Sequence, residues 1–248
     1  MDFEKNLLKG KVILITGAAG GIGEMVSKTF AQQGATVILL GRKISKLEKL
    51  YDQIEQAGYP QPAIYPLNLE SAAPHDYEEL SNRLGEEFGR LDGLVHCAAT
   101  VGGLTPIEHY DIMRWYQVLQ VNFNAPFMLT KACLPLLKQS ETASVVFTTD
   151  SVGKQAKAYW GAYGVSKAAL ENLNKMLAEE FESQHIRFNC LDPEATKTFF
   201  RARIYPGENP QTLPSPETIA PAYLYLMSEQ SKEISGQRFT AKEILEKL

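Results

Sequence analysis

The chain has 248 residues, 44% of them hydrophobic and 22% charged, which excludes a disordered or fibrous protein and is enough for one large α/β domain. With 25 basic against 29 acidic side chains, a net charge of -4, there is no basic excess to seek nucleic-acid phosphates. No apolar run reaches the roughly 18–20 residues that span a bilayer, the opening MDFEKNLLKG lacks a leader's apolar stretch, and Cys97, Cys133 and Cys190 carry neither metal nor disulfide spacing; the expectation is a cytoplasmic protein with free thiols, no metal, and no membrane or nucleic-acid partner.

Short apolar runs alternate with longer amphipathic ones. KVILIT (11–16) is brief and rich in β-branched residues, the mark of a buried strand. Ile22, Met25, Val26 and Phe30 then recur at helical spacing. ATVILL (35–40) predicts the second strand, and Leu47, Leu50 and Ile54 a helix ending near Gly58. A weaker strand is expected near 63–65, followed by a helix marked by Tyr77, Leu80, Leu84 and Phe88. DGLVHCAA (92–99) reads as strand and loop, and SVVFTT (144–149) as a strand. Residues 160–182 form a helix and HIRFNCL (185–191) a strand. Between the strands at 92–99 and 144–149, the run Ile107–Leu137 contains Asn122 and Pro126, where a proline kink is expected. Strand–helix alternation implies βαβ units, hence a Rossmann-type doubly wound parallel sheet with helices on both faces. No composition break divides residues 1–248, so a single domain is expected. The stretch 193–215, with Pro193, Pro206, Pro210 and Pro214, reads as a long excursion and a substrate lid.

Immediately after the first strand comes Thr16-Gly17-Ala18-Ala19-Gly20-Gly21-Ile22-Gly23. Glycines let a backbone approach a ligand closely, and the following helix aims free N–H groups and its positive dipole end at the turn. In the strand–turn–helix context this is a pyrophosphate cradle, with Gly17, Gly21, Ile22 and Gly23 in contact. The second strand ends Gly41-Arg42-Lys43 with no carboxylate to accept from the ribose of NAD; Arg42 suits the 2′-phosphate of NADP, so NADP(H) is favoured over NAD(H). Tyr163 and Lys167 lie four apart on one helix face. An ammonium beside a phenol stabilises the phenolate, so the pair can exchange a proton with an alcohol or an alkoxide.

With these motifs in order, the sequence resembles the short-chain dehydrogenase/reductase family over nearly its whole length. The glycine turn matches TGxxxGxG, Tyr163 and Lys167 match YxxxK, and Asn122 matches the family's helix asparagine. The stretch Trp160-Gly161-Ala162-Tyr163 looks like the bacterial YciK-type branch. The resemblance implies a sheet of about seven strands and an NADP-dependent oxidoreductase acting on a small carbonyl or secondary alcohol. It implies Tyr163 as general acid/base, Lys167 on the nicotinamide ribose, and Asn122 anchoring a water for proton relay. It also implies a homodimer or homotetramer paired through the 107–137 and 160–182 helices.

Several positions depart from the family. Its serine, 13 residues before the tyrosine, falls on Asp150, and Ser151 is next to it. An ionised carboxylate repels a developing oxyanion, although a protonated one can donate; the expectation is that Ser151 faces the substrate. The family's NNAG is His96-Cys97-Ala98-Ala99, in which Ala98 fits and His96 reads as a packed strand residue. The adenine-contacting aspartate is Asn68, with Leu69 beside it. The PG after the sixth strand is Pro193-Glu194, where Glu194 brings bulk and charge close to the cofactor; Thr196 and Thr198 remain as hydroxyl donors to it. These departures motivate the alternative of a catalytically impaired dinucleotide-binding sensor or scaffold.

Overall fold

The computed structural model describes residues 6–248; residues 1–5, part of the opening stretch read for a leader, lie outside the described residues. β1 (Val12–Thr16) is buried along its whole length, as a parallel strand must be when helices cover both faces of its sheet. It pairs in parallel with β2 (Thr36–Gly41) on one side and β4 (Gly93–His96) on the other. β3 (Ala63–Pro66), β5 (Ala143–Thr148), β6 (Ile186–Asp192) and β7 (Arg238–Thr240) complete a seven-stranded parallel sheet in the order β3-β2-β1-β4-β5-β6-β7.

Successive β1 side chains alternate between two helical layers, because the strand period is two. Ile13 and Ile15 join a core with Val26 and Phe30 of α1 (Gly21–Gln32) and Leu47, Leu50 and Ile54 of α2 (Ile44–Gln56). Val12 and Leu14 face Leu80 and Leu84 of α3 (Pro74–Phe88), behind which lies Cys133. The strand order reverses between β1 and β4, so the crevice for a ligand opens at their carboxyl ends.

The run 107–137 is broken into α4 (Ile112–Leu119), a π turn (Gln120–Asn124) and α5 (Ala125–Leu137). Pro126 has no N–H for the carbonyl of Asn122 four residues back, and the helix is interrupted by the π turn just before it. α6 (Ser151–Lys154) is a single turn, and α7 (Gly161–Glu180) is the predicted long helix. The proline-rich excursion contains α8 (Phe199–Ile204) and a 3₁₀ turn (Pro210–Thr212).

The elements that follow also lie outside the sequence expectations. α9 (Pro216–Met227) begins with Pro216 in its first turn, where a missing N–H costs little, and buries Ile219, Tyr223 and Leu226 against α1's layer. β7 is three half-buried residues, followed by α10 (Ala241–Leu245). No described helix is long and apolar enough to cross a membrane.

Candidate active site

The glycine turn sits at the carboxyl end of β1. Gly17 has φ +63°, and a Cβ there would stand 2.9 Å from the backbone of Ala98, which follows β4. A Cβ on Gly23 would overlap the Gly17 carbonyl oxygen. Bare backbone is therefore the only way to close this turn so tightly. No described side chain caps the amino end of α1. The uncapped N–H groups and the glycine-walled cradle fit a diphosphate. Ile22 is half-buried beside it.

Contacts run from this turn to the tyrosine–lysine pair. Gly17 abuts Cys97 and Ala98, Cys97 Sγ meets Thr148 Oγ1 at 3.6 Å, and Lys167 Nζ donates to the Thr148 carbonyl at 2.7 Å. Lys167 Nζ lies 5.5 Å from the Tyr163 ring centroid. Both residues are buried. Trp160 and Phe200 pack on the Tyr163 ring at 5.5 and 6.0 Å between centroids, so α8 roofs the phenol.

Asp150 reaches Tyr163: the phenol donates to its Oδ2 at 3.2 Å. Asp150 is also the N-cap of α6, accepting from the Val152 N–H. Ser151 Oγ donates to Asp150 Oδ1 at 3.1 Å and is exposed. The geometry thus follows the count of 13 residues, placing Asp150 rather than Ser151 against the phenol, because the cap residue precedes the helix and Ser151 is the helix's first residue. Burial, and after it the Asp150 carboxylate, hold the Tyr163 phenol well above its ordinary 10.0. Burial pulls the Lys167 ammonium down from 10.5.

Asn122 is fully enclosed. Its Oδ1 accepts from the Thr100 N–H, and its Nδ2 donates to the Thr100 carbonyl, each at 2.9 Å. Nδ2 also reaches Ser166 Oγ at 3.2 Å. The side chain therefore ties the segment after β4 to α7, and its amide is spent on that task.

Beyond β6, Pro193 and Thr196 are buried, and Thr196 Oγ1 donates to the Pro193 carbonyl at 3.0 Å. Thr198 is nearer the cradle, its Cγ2 lying 2.9 Å from where a Gly21 Cβ would be. Glu194 keeps the left-handed backbone that a glycine would favour, φ +59°. Its carboxylate accepts from the Lys242 N–H of α10 at 3.1 Å and stays on the wall of the cavity that Asp150 lines. Arg238 bridges Glu171 and Asp192 at 2.8 Å each. Asp150, Asp192, Arg201 and Arg238 line a cavity of about 710 Å³ beside α6 and α8. At the other end of the crevice, Arg42 follows β2, is exposed, and lies 3.8 Å from Glu70. Asn68 is exposed in the loop after β3, with Leu69 buried behind it.

Sequence reasoning missed Phe200, Arg238 and the capping role of Glu194. The adjacent aromatic pair Phe199-Phe200 was the one available signal. The three cysteines are free, and burial pushes the Cys97 thiol up to about 11 and that of Cys133 to about 12.

His96 stacks on Phe147 at 4.9 Å and its Nε2 lies 2.9 Å from Thr130 Oγ1. Burial lowers its pKa from the ordinary 6.5 to about 3. The unfolded chain therefore binds a proton below 6.5 that the folded chain refuses until about 3, so stability falls as pH falls through that window. His96→Gln, which cannot titrate, should flatten the urea-derived stability profile by about 1.4 kcal/mol per pH unit there. Identical slopes in the two proteins would show that His96 takes no part in acid sensitivity.

Comparison with known proteins agrees with this geometry. A family model for short chain dehydrogenase matches residues 11–209. The uncharacterized oxidoreductase YciK of Escherichia coli K12 is 42% identical over 239 residues, 96% of this chain and 94% of its own. A short chain dehydrogenase structure from Pseudomonas syringae superposes with a TM-score of 0.94 at 51% identity, covering 97% and 99% of the two chains. One from E. coli CFT073, complexed with NADPH, gives 0.94 at 42%, covering 97% and 100%. A glycine cradle at the switch point, a tyrosine–lysine pair on α7 and full-length similarity converge: this chain belongs to the short chain dehydrogenases, as an oxidoreductase of the YciK type.

Proposed function

We propose that the protein transfers hydride between NADP(H) and a small carbonyl or secondary alcohol, with Tyr163 moving the proton. The supporting observation is the unbroken contact path from the Gly17–Gly23 cradle through Cys97 and Thr148 to Lys167 and Tyr163. Gly17, Gly21, Ile22 and Gly23 would hold the diphosphate and Asn68, Leu69 and Ala98 the adenosine half. Lys167 would take the nicotinamide ribose, and Pro193 and Thr196, with Thr198, the carboxamide side. When bound, the dinucleotide supplies or accepts the hydride. The residues 193–215 act as substrate lid of a single domain, since Phe200, Ile204 and Tyr205 already pack on the Trp160–Tyr163 cluster.

NADPH fluorescence on titration with protein, followed by turnover on a range of ketones and aldehydes, tests the reading. Absence of any NADPH binding would overturn it. Tight binding without turnover would favour the sensor or scaffold reading, for which the carboxylate on Tyr163 is the motivating feature.

Arg42 supports the choice of NADP(H). Among the described residues its guanidinium has only a long, exposed contact with Glu70, so a 2′-phosphate gains a charge-assisted partner at small cost. Arg42→Ala should weaken NADPH binding about 10–100-fold and leave NADH binding unchanged, as read by isothermal titration. Equal loss for both dinucleotides would remove Arg42 from the selection.

The protein works as a homodimer or homotetramer in this proposal. α4 exposes Ile112, Met113 and Tyr116, α5 Phe127, and α7 Val165 and Met176, whereas Leu170 and Leu177 of α7 face the core. Such apolar exposure on three neighbouring helices favours an isologous contact.

A further inference from the structure

We propose that Asp150 and Tyr163 form one proton-sharing pair, through which the proton of an alcohol substrate passes to the Asp150 carboxyl. This rests on the hydride-transfer reading above. The Tyr163 hydroxyl donates to Asp150 Oδ2 at 3.2 Å. A phenol whose proton is committed to a carboxylate cannot take a second one unless it passes the first on. In oxidation, the alcohol's carbon gives its hydride to the oxidised nicotinamide dinucleotide. Its hydroxyl proton goes to Tyr163 Oη as the phenol's proton goes to Asp150 Oδ2. The products are carbonyl, reduced dinucleotide and a protonated Asp150, which discharges to water in the cavity that Asp150 lines. Reduction runs the same steps backwards and begins from protonated Asp150. Oxidation therefore uses the ionised carboxyl and reduction the protonated one.

Charged groups of both signs surround the Asp150 carboxyl. From α7 it faces Tyr163 and Lys167, from the end of β6 Asp192, and from α8 Arg201. Lys154 of α6, Glu194 of the loop after β6 and Tyr205 after α8 share its cavity, and Arg238 is already engaged by Asp192 and Glu171. Asp150 is half-buried, so water can reach it while Tyr163 stays enclosed. Its remaining contacts, from Ser151 Oγ and the Val152 N–H, hold Oδ1 and leave Oδ2 to the phenol.

The test reads Tyr163 directly. Protein labelled at tyrosine ¹³Cζ, with the signal assigned by Tyr163→Phe, is titrated by NMR without cofactor or substrate. Asp150→Ser and Asp150→Asn both keep a good N-cap for α6 and remove the charge. In each, the Tyr163 midpoint should drop by about 1–2 pH units, with Lys167 left as the nearest charge. A midpoint unmoved in both variants would overturn the pair, and two variants guard against one misfolding. With NADP⁺ and an alcohol that the wild type oxidises, Asp150→Asn should cut oxidation about 10²-fold, and reduction should lose its rise toward low pH. Unchanged oxidation would overturn the transfer step. If the wild type oxidises nothing, the hydride reading and this step fall together, whereas the NMR midpoint still decides the pair.

Discussion

Tyr163→Phe should lower turnover about 10²–10⁴-fold while NADPH binding stays within a small factor of the wild type. The variant removes one oxygen and keeps the ring. That ring is packed between Trp160 and Phe200, and phenylalanine fills the same volume, so the cradle and Lys167 stay in place. What disappears is the only hydroxyl on α7 that is paired with Asp150 and lies beside the Lys167 ammonium. Asp150 loses a donor, but it is half-buried and water can replace the phenol. The loss should therefore appear in kcat rather than in the melting temperature. Fluorescence titration and steady-state rates on one preparation give both quantities. Turnover retained in full would mean that another group carries the proton.

Gly23→Ala is expected to damage both stability and cofactor binding. The new Cβ overlaps the Gly17 carbonyl oxygen, which belongs to backbone and has nowhere to swing. Gly17 is itself held against Ala98, so the turn must open as a unit. Overpacking of this kind costs about 1–3 kcal/mol, or a fall of roughly 2–12 °C in Tm for a chain of this size. Opening the turn also spreads the N–H groups that would meet the diphosphate, so NADPH affinity should fall by more than tenfold, a loss that stability alone does not explain. Calorimetry and a binding titration check the two effects separately. A variant that melts and binds like the wild type would show that the turn is looser than its geometry implies.

Much of the fold is legible along the chain because buried parallel strands announce themselves as short apolar runs. β1, β2, β5 and β6 fall within a residue of expectation. β7 does not, because three residues, all half-buried, carry no periodicity. α9 hides behind its prolines: Pro216 and Pro221 argue against a helix until one sees that the first lies where no hydrogen bond is lost. In the site, the spacing of Tyr163 and Lys167 is a property of one helix and can be read locally. Whether Asp150 or Ser151 turns inward depends on how the chain leaves β5 and caps α6, where residue chemistry argued for one and spacing for the other. The fate of Glu194 was beyond reach for a simpler reason. Its partner, the N–H of Lys242, arrives from 48 residues away, and no local pattern announces it.

The end of the chain is fastened to the floor of the crevice. Arg238 of β7 joins Asp192 and Glu171, and α10 is capped by the very residue whose strained backbone forms the loop after β6. Pulling on the last dozen residues therefore tugs on the wall beside the phenol. A substitution that loosens β7 or α10 is thereby coupled to the reacting groups without touching them.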